Sequence, residues 1–397
     1  METMTFCVPC LFGLEGLVGD ELRRLELSNV RVEDRRVFFE GDFAAMAKAN
    51  LCCRMGERVM IRLGHFRAMS FEDLFQGVKA LPLERFIPKD GAFPVKGYSL
   101  NSQLHSVPDC QAIIKKAVVE SLKEAYKLEH FPETGANYQI QFLIMKDKVS
   151  IMLDTSGAGL HKRGYRRNAM EAPLRETLAA TIADLGRVRR DSLVEDPFCG
   201  SGTLLIEAAQ KAMNIAPGLK RRFAAERYSF VPAAVWAEQR QKALAESKLD
   251  VGFEAFGYDI DPAAVALANA NAKLAGVEKR CHFEVADVAD FAAKQEAIVL
   301  TNPPYGERMS TIEGAAKLAR TLGRQMEANP CAGVYAITAD MDFETHYGKR
   351  ANKRRKMYNG MIPCQLYMYY NAPKFEHTAK PMPKSGFDGK RRFDKKD

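Results

Sequence analysis

Two short segments carry residue types that could do chemistry. Thr301-Asn302-Pro303-Pro304-Tyr305-Gly306 follows the apolar run Ala297–Leu300, so it reads as a turn at the end of a buried strand. An exocyclic base amine is a weak nucleophile because its lone pair is delocalised into the ring. Hydrogen bonds from its two N–H groups to the Asn302 side-chain oxygen and the Pro303 carbonyl would favour a more tetrahedral nitrogen and aim its lone pair. Pro303 and Pro304 stiffen the turn, and Tyr305 is placed to stack on the base. Both acceptors are neutral, so catalysis here rests on orientation and electrostatic preorganisation. Upstream lies Asp196-Pro-Phe-Cys-Gly200-Ser-Gly202-Thr203, where Gly200 and Gly202 let the backbone turn tightly against a ligand before a helix begins. Together the segments read as an amino-methyltransferase using S-adenosylmethionine.

Three carboxylates sharpen that reading. Asp196 ends the strand before the glycine loop and could bind the ammonium of the methionine part. Asp259 follows Phe256-Gly-Tyr258 and could accept both ribose hydroxyls, while Asp287 follows Phe283–Ala286 and could accept a proton from the adenine amine. Asp261 precedes Pro262 and reads as a helix N-cap. The dinucleotide fingerprint places its acid about 20 residues after the glycines. Here Asp259 lies 59 residues after Gly200, which disfavours a nicotinamide or flavin dinucleotide.

The elements needed to position these groups follow from periodicity. From Leu174 onward, strands at 192–195, 253–258, 282–285, 297–300, 334–338 and 365–370 alternate with helices at 174–185, 204–213, 262–275, 314–327 and 340–347. This predicts a doubly wound α/β domain with its site at the carboxyl ends of the strands. Residues 216–248, with the only tryptophan, Trp236, break the alternation as a helical insertion. From Met4 to Asp154 short strands mix with amphipathic helices, predicting small α+β modules. Residues 156–173 read as a linker and 373–397 as a basic, disordered tail.

A chain of 397 residues predicts two or three domains. With 47% hydrophobic and 27% charged residues it has the composition of a globular protein. No apolar stretch reaches the ~18 residues of a membrane span, and Glu2 stands where a leader would be basic. A cytoplasmic location is expected. Nine cysteines, an odd number, do not suggest a disulfide framework. Cys7-x-x-Cys10 with Cys52-Cys53 could supply four thiolates to zinc, but Cys7 sits in a strand-like run, and no metal is expected. The formal charge of +8 is concentrated in His161–Arg167, Lys220–Arg222, Lys353–Lys356 and Lys390–Arg392. Such clusters neutralise phosphates, making Lys162, Arg163, Arg166 and Arg167 candidate RNA contacts.

The two motifs, with Leu153-Asp-Thr-Ser-Gly157, Leu160-His-Lys-Arg-Gly-Tyr-Arg166 and Ala172-Pro-Leu-Arg-Glu-Thr-Leu-Ala-Ala180, resemble the RlmL/YpsC-type guanine-N2 RNA methyltransferases over nearly the whole chain. The resemblance implies a ferredoxin-like module at 1–55 and a THUMP RNA-binding domain at 56–155. After the linker it implies a Rossmann-like class I methyltransferase domain at 174–372. It also assigns Asp196, Gly200, Asp259 and Asp287 to the cofactor and Asn302–Tyr305 to catalysis. Larger members carry a second methyltransferase unit, an activity not expected of this chain. The resulting expectation is N2-methylguanosine formation in RNA, ribosomal in preference to transfer RNA, with no obligate protein partner. DNA adenine-N6 methylation and a non-catalytic RNA-binding role are the rivals.

Overall fold

In the first strand, Met4–Pro9 (β1), Phe6 and Val8 point into one core while Cys7 points to the opposite face. That alternation repeats in Arg36–Gly41 (β3), Met60–Arg67 (β4), Ile140–Met145 (β6) and Lys148–Asp154 (β7), while Ser28–Glu33 (β2) and Val95–Leu100 (β5) are the sheet's two edges. A computed structural model describes residues 3–166, 174–305 and 312–370. In it these strands form one continuous sheet in the order β2-β3-β1-β4-β7-β6-β5, antiparallel except for β5 beside β6. Helices Glu15–Arg24 (α1), Phe43–Cys52 (α2), Phe71–Lys79 (α3) and Val107–Tyr126 (α4) contribute to the core on its inner face. Local chemistry sets their ends. Ser70 and Asp73 form a reciprocal capping box on α3, and Pro108 sits in the first turn of α4.

The second half contains Glu176–Leu185 (α5), Leu193–Asp196 (β8), Thr203–Ala212 (α6), Ala233–Ala245 (α7), Glu254–Asp259 (β9), Pro262–Ala275 (α8), Cys281–Val285 (β10), Ile298–Thr301 (β11), Ile312–Ala328 (α9), Gly333–Thr338 (β12), Phe343–Tyr347 (α10), Lys353–Asn359 (β13) and Ile362–Tyr370 (β14). Its sheet runs β10-β9-β8-β11-β12-β14-β13. The first five of these are parallel and β14 runs antiparallel to β12. The chain moves outward from β8 to β10, then returns to place β11 on the other side of β8. A crevice therefore opens between the carboxyl ends of β8 and β11.

One segment departs from the sequence reading, and a second takes a position that the reading left open. The segment expected to be a linker is built into the structure as far as it is described, because Ser156, Leu160, Arg163 and Tyr165 are all buried. The helical insertion packs on the N-terminal half: Phe223, Tyr228, Val231 and Trp236 belong to the N-terminal core. Tyr228 stacks on Tyr138 at 4.5 Å and Trp236 on Phe223 at 5.1 Å. The expected tail lies outside the described residues.

Candidate active site

Each motif reaches the crevice from a different strand end. Asp196 closes β8 and is 1% exposed. Its Oδ1 accepts from the Thr301 hydroxyl at 2.7 Å and the Phe198 amide at 3.0 Å. Among the described residues Oδ2 has no donor. Burial pushes its pKa up to about 7, Thr301 and Phe198 oppose that by hydrogen bonding, and the negative charge of Asp259 adds to it. A carboxylate in this state is suited to a cation that it can pair with inside the crevice.

The glycine loop then crosses the end of β9. The Gly200 amide donates to Asp259 Oδ2 at 2.9 Å, and the Asp261 amide donates to Oδ1 at 3.0 Å. Asp259 is thus fixed by the backbone at both oxygens, each retaining a lone pair for a hydroxyl. Gly202 takes φ +76 as the N-cap of α6, and a Cβ there would stand 2.8 Å from the Phe283 ring. Only glycine keeps the loop this close to β10. Asp261 caps α8 by accepting from the Ala263 amide at 2.9 Å, as its place before Pro262 predicts. Asp287 is exposed, and its Oδ1 accepts from the Ala289 amide at 2.8 Å.

Asp196, Gly200, Asp259, Asp287, Asn302 and Pro304 line one cavity of about 610 Å³. Asn302 holds the most telling atom. Its Oδ1 is buried and accepts no hydrogen bond from the described residues. A buried amide oxygen without a donor costs roughly 1–3 kcal/mol, so a bound N–H would relieve a real penalty. The residues suit S-adenosylmethionine: a buried carboxylate for its ammonium, a fixed carboxylate for its ribose and a glycine bend over open space.

Several expectations change. Tyr305 does not line the cavity. Its ring is 7% exposed within the core of the second half, with its hydroxyl 3.9 Å from Cys364 Sγ. The apolar walls come instead from Phe198, Leu174, Leu318 and Ile260, the last 68% exposed. An isoleucine directly after Asp259, in an otherwise polar turn, was the available signal for that wall.

The basic cluster around residue 163 does not act as a unit. Arg163 is 3% exposed and donates to Glu207 at 3.3–3.4 Å, so it is a buried structural ion pair and not a phosphate contact. Arg166 is largely buried and pairs with Glu176 at 2.8 Å. Only Lys162 is exposed, and Arg167 lies outside the described residues. Arg221, in the next cluster, donates to backbone carbonyls at Gly159 and Lys162. Cys7, Cys10 and Cys53 are buried, and Cys53 Sγ donates to Glu21 at 3.4 Å. Among the described residues no group of three or more His, Cys, Asp or Glu side chains is placed to hold a metal ion. No described helix is long and apolar enough to cross a membrane.

Residues 163–368 match the family described as RMKL-like, methyltransferase domain; residues 5–60 match the RlmL ferredoxin-like domain and 68–154 the THUMP domain. YpsC of Bacillus subtilis (strain 168), named provisionally as an RNA methyltransferase, is 38% identical over 94% of this chain and 97% of its own length. The ribosomal RNA large subunit methyltransferase K/L of Psychromonas ingrahamii is 32% identical over 94% of this chain, which spans about half (51%) of that relative. A structure from Listeria monocytogenes, described by prediction as an N6-adenine-specific DNA methylase, is 42% identical. It has a TM-score of 0.88 over 94% of this chain and 97% of that one. SMU.472, solved in complex with SAH and given provisionally as a methyltransferase, is 37% identical, with a TM-score of 0.87 over 94% and 99% of the two chains.

Proposed function

The chain belongs to the family of RMKL-like S-adenosylmethionine-dependent methyltransferases, and we propose that it methylates the N2 amine of a guanine in RNA, with large-subunit ribosomal RNA as substrate. The observation that carries this reading is the buried Asn302 Oδ1, which lacks a donor among the described residues and shares a cavity with Asp196, Gly200 and Asp259. In this reading Asp196 pairs with the methionine ammonium, Asp259 accepts from the ribose and Asp287 Oδ2 accepts from the adenine amine. Asn302 Oδ1 and the Pro303 carbonyl take the two N–H groups of the target amine and hold its lone pair toward the glycine loop. S-adenosylmethionine supplies an electrophilic methyl group when bound there. A base paired in a stem cannot enter a crevice of this kind, so the guanine is extruded or already unpaired.

The THUMP and ferredoxin-like modules favour RNA, since the reaction site itself suits either guanine N2 or adenine N6. The description of the Listeria structure keeps adenine in DNA as the second reading. Incubating the protein and labelled S-adenosylmethionine with unmodified large-subunit rRNA, tRNA and duplex DNA, followed by nucleoside mass spectrometry, separates them. N2-methylguanosine in rRNA alone is the expected product. N6-methyladenine in DNA, or N2-methylguanosine confined to tRNA, would overturn the assignment.

A further inference from the structure

The basic run Lys353–Lys356 stays on the surface, whereas Arg163 and Arg221 of two other clusters are buried. It forms β13, the edge strand of the second sheet, with Lys353, Arg354 and Lys356 exposed. Among the described residues Lys353 and Lys356 make no ion pair, and Arg354 reaches Glu344 only at 3.7 Å. The strand leads into a tight hairpin: Asn359 pairs with Ile362, leaving Gly360-Met361 as a two-residue loop with Gly360 at φ +67. Met361 at that tip is 95% exposed, the most exposed large hydrophobic among the described residues, and Ile362 beside it is 38% exposed. Turns ordinarily carry Gly, Asn, Asp or Ser, so a solvated methionine there does nothing for folding.

The tip lies at the same end of the sheet as the crevice. Gln365 near the start of β14 pairs with Thr338 at the carboxyl end of β12, so Gly360-Met361 projects beyond the same sheet edge as Asn302. Two contacts fix its position. The Asn359 side-chain oxygen accepts from the Arg175 amide at 3.3 Å, next to the cavity-lining Leu174. Cys364 Sγ lies 3.9 Å from the hydroxyl of Tyr305, which ends the Asn-Pro-Pro-Tyr turn. The hairpin is thus anchored to the residue after Leu174 and to the Asn-Pro-Pro-Tyr turn, and presents an apolar point outward, with cations along one side.

Resting on the RNA-methylation reading, we propose that Met361 is a wedge that enters the RNA base stack beside the target guanine and holds open the place it vacates. Lys353, Arg354 and Lys356 bind the adjoining phosphates. An inserted apolar side chain replaces stacking lost by the extruded base, and its benefit is greatest where a base pair must be opened. Positive charge along the edge strand matches a phosphate backbone and gives no reason to expect an apolar protein partner.

The test uses the full chain and a stem-loop transcript carrying the guanine mapped in rRNA, either paired with cytosine or facing an abasic site. Met361→Ala should lower kcat/KM on the paired substrate about 10- to 100-fold and on the abasic one by less than about threefold, since opening a pair costs a few kcal/mol. Met361→Leu should restore most of the activity. Cofactor affinity and thermal midpoint should not change, because the side chain packs on nothing described. A 2-aminopurine beside the target should brighten on binding wild-type protein and stay quenched with Met361→Ala. Equal losses on both substrates, or wild-type rates on both, would overturn the wedge. Wild-type protein that methylates no RNA would instead overturn the underlying functional reading, and the wedge with it.

Discussion

Asp196, proposed to pair with the methionine ammonium, should give the protein a pH dependence whose sign differs for binding and for folding. Burial is the largest cause of its raised pKa of about 7, against 3.8 for a free aspartate side chain. Pairing with the methionine ammonium would favour the carboxylate and pull the pKa down, so binding below about pH 7 must expel a proton. With full pairing in the complex, the apparent Kd scales as one plus the ratio of protonated to ionised Asp196 in the free protein. That ratio is about 0.3 at about pH 7.5 and about 30 at about pH 5.5, giving an affinity loss of about 25-fold, or ~1.9 kcal/mol. Titration calorimetry in two buffers of different ionisation enthalpy should show about one proton released at the lower pH and less than about 0.3 at the higher.

Folding goes the other way. A folded-state pKa above the unfolded one means the group's contribution to stability is fully present below about 3.8 and lost as pH rises through about 7. The cofactor-free protein should therefore lose this contribution over the range in which it gains affinity. Asp196→Asn should flatten both profiles. A wild-type affinity that is constant across this range, with no proton released, would refute the assignment of Asp196 to the ammonium.

Asn302→Ala should cut single-turnover methylation about 100-fold or more while leaving cofactor affinity near wild type, the scale expected when a preorganised polar group is removed; normal turnover would end its amine-gripping role. Arg163→Ala leaves Glu207 buried without its guanidinium, and denaturant melts should show a loss of roughly 3–5 kcal/mol. The folded fraction should keep its RNA affinity, and an isolated RNA-binding defect at full stability would restore Arg163 as a phosphate contact. Residues 156–397 expressed alone should aggregate or bind little cofactor, because Phe223, Tyr228 and Trp236 lose the N-terminal core they pack into; a monomeric, cofactor-binding fragment seen by light scattering and calorimetry would contradict this.

That Asp196, Asp259, Asp287 and Asn302 meet in one crevice was legible because its parts obey local rules. Asp196, Asp259, Asp287 and Asn302 each end an apolar run, and strand-end residues of an open α/β sheet converge whatever the rest of the chain does. The elements missed were those where local pattern and tertiary role disagree. Gly97 interrupts β5, and β13 begins with four consecutive cations, so neither reads as a strand until a partner strand supplies its hydrogen bonds.

Charge was the least reliable guide. A run of arginines looks the same in sequence whether each guanidinium meets a phosphate or a buried carboxylate, and Glu207 lies 44 residues beyond Arg163. Arg163 and Arg166 tie the segment after β7 to α6 and to α5, and Arg221 ties its carbonyls to the insertion, which is why its described part is built into the structure where its Gly- and Lys-rich composition suggested a tether. The Arg166 guanidinium also lies 3.4 Å from the Thr203 hydroxyl at the start of α6. The segment after β7 is therefore in direct contact with the helix that follows the glycine loop, which ties Arg166 to the same α6 that Arg163 reaches through Glu207.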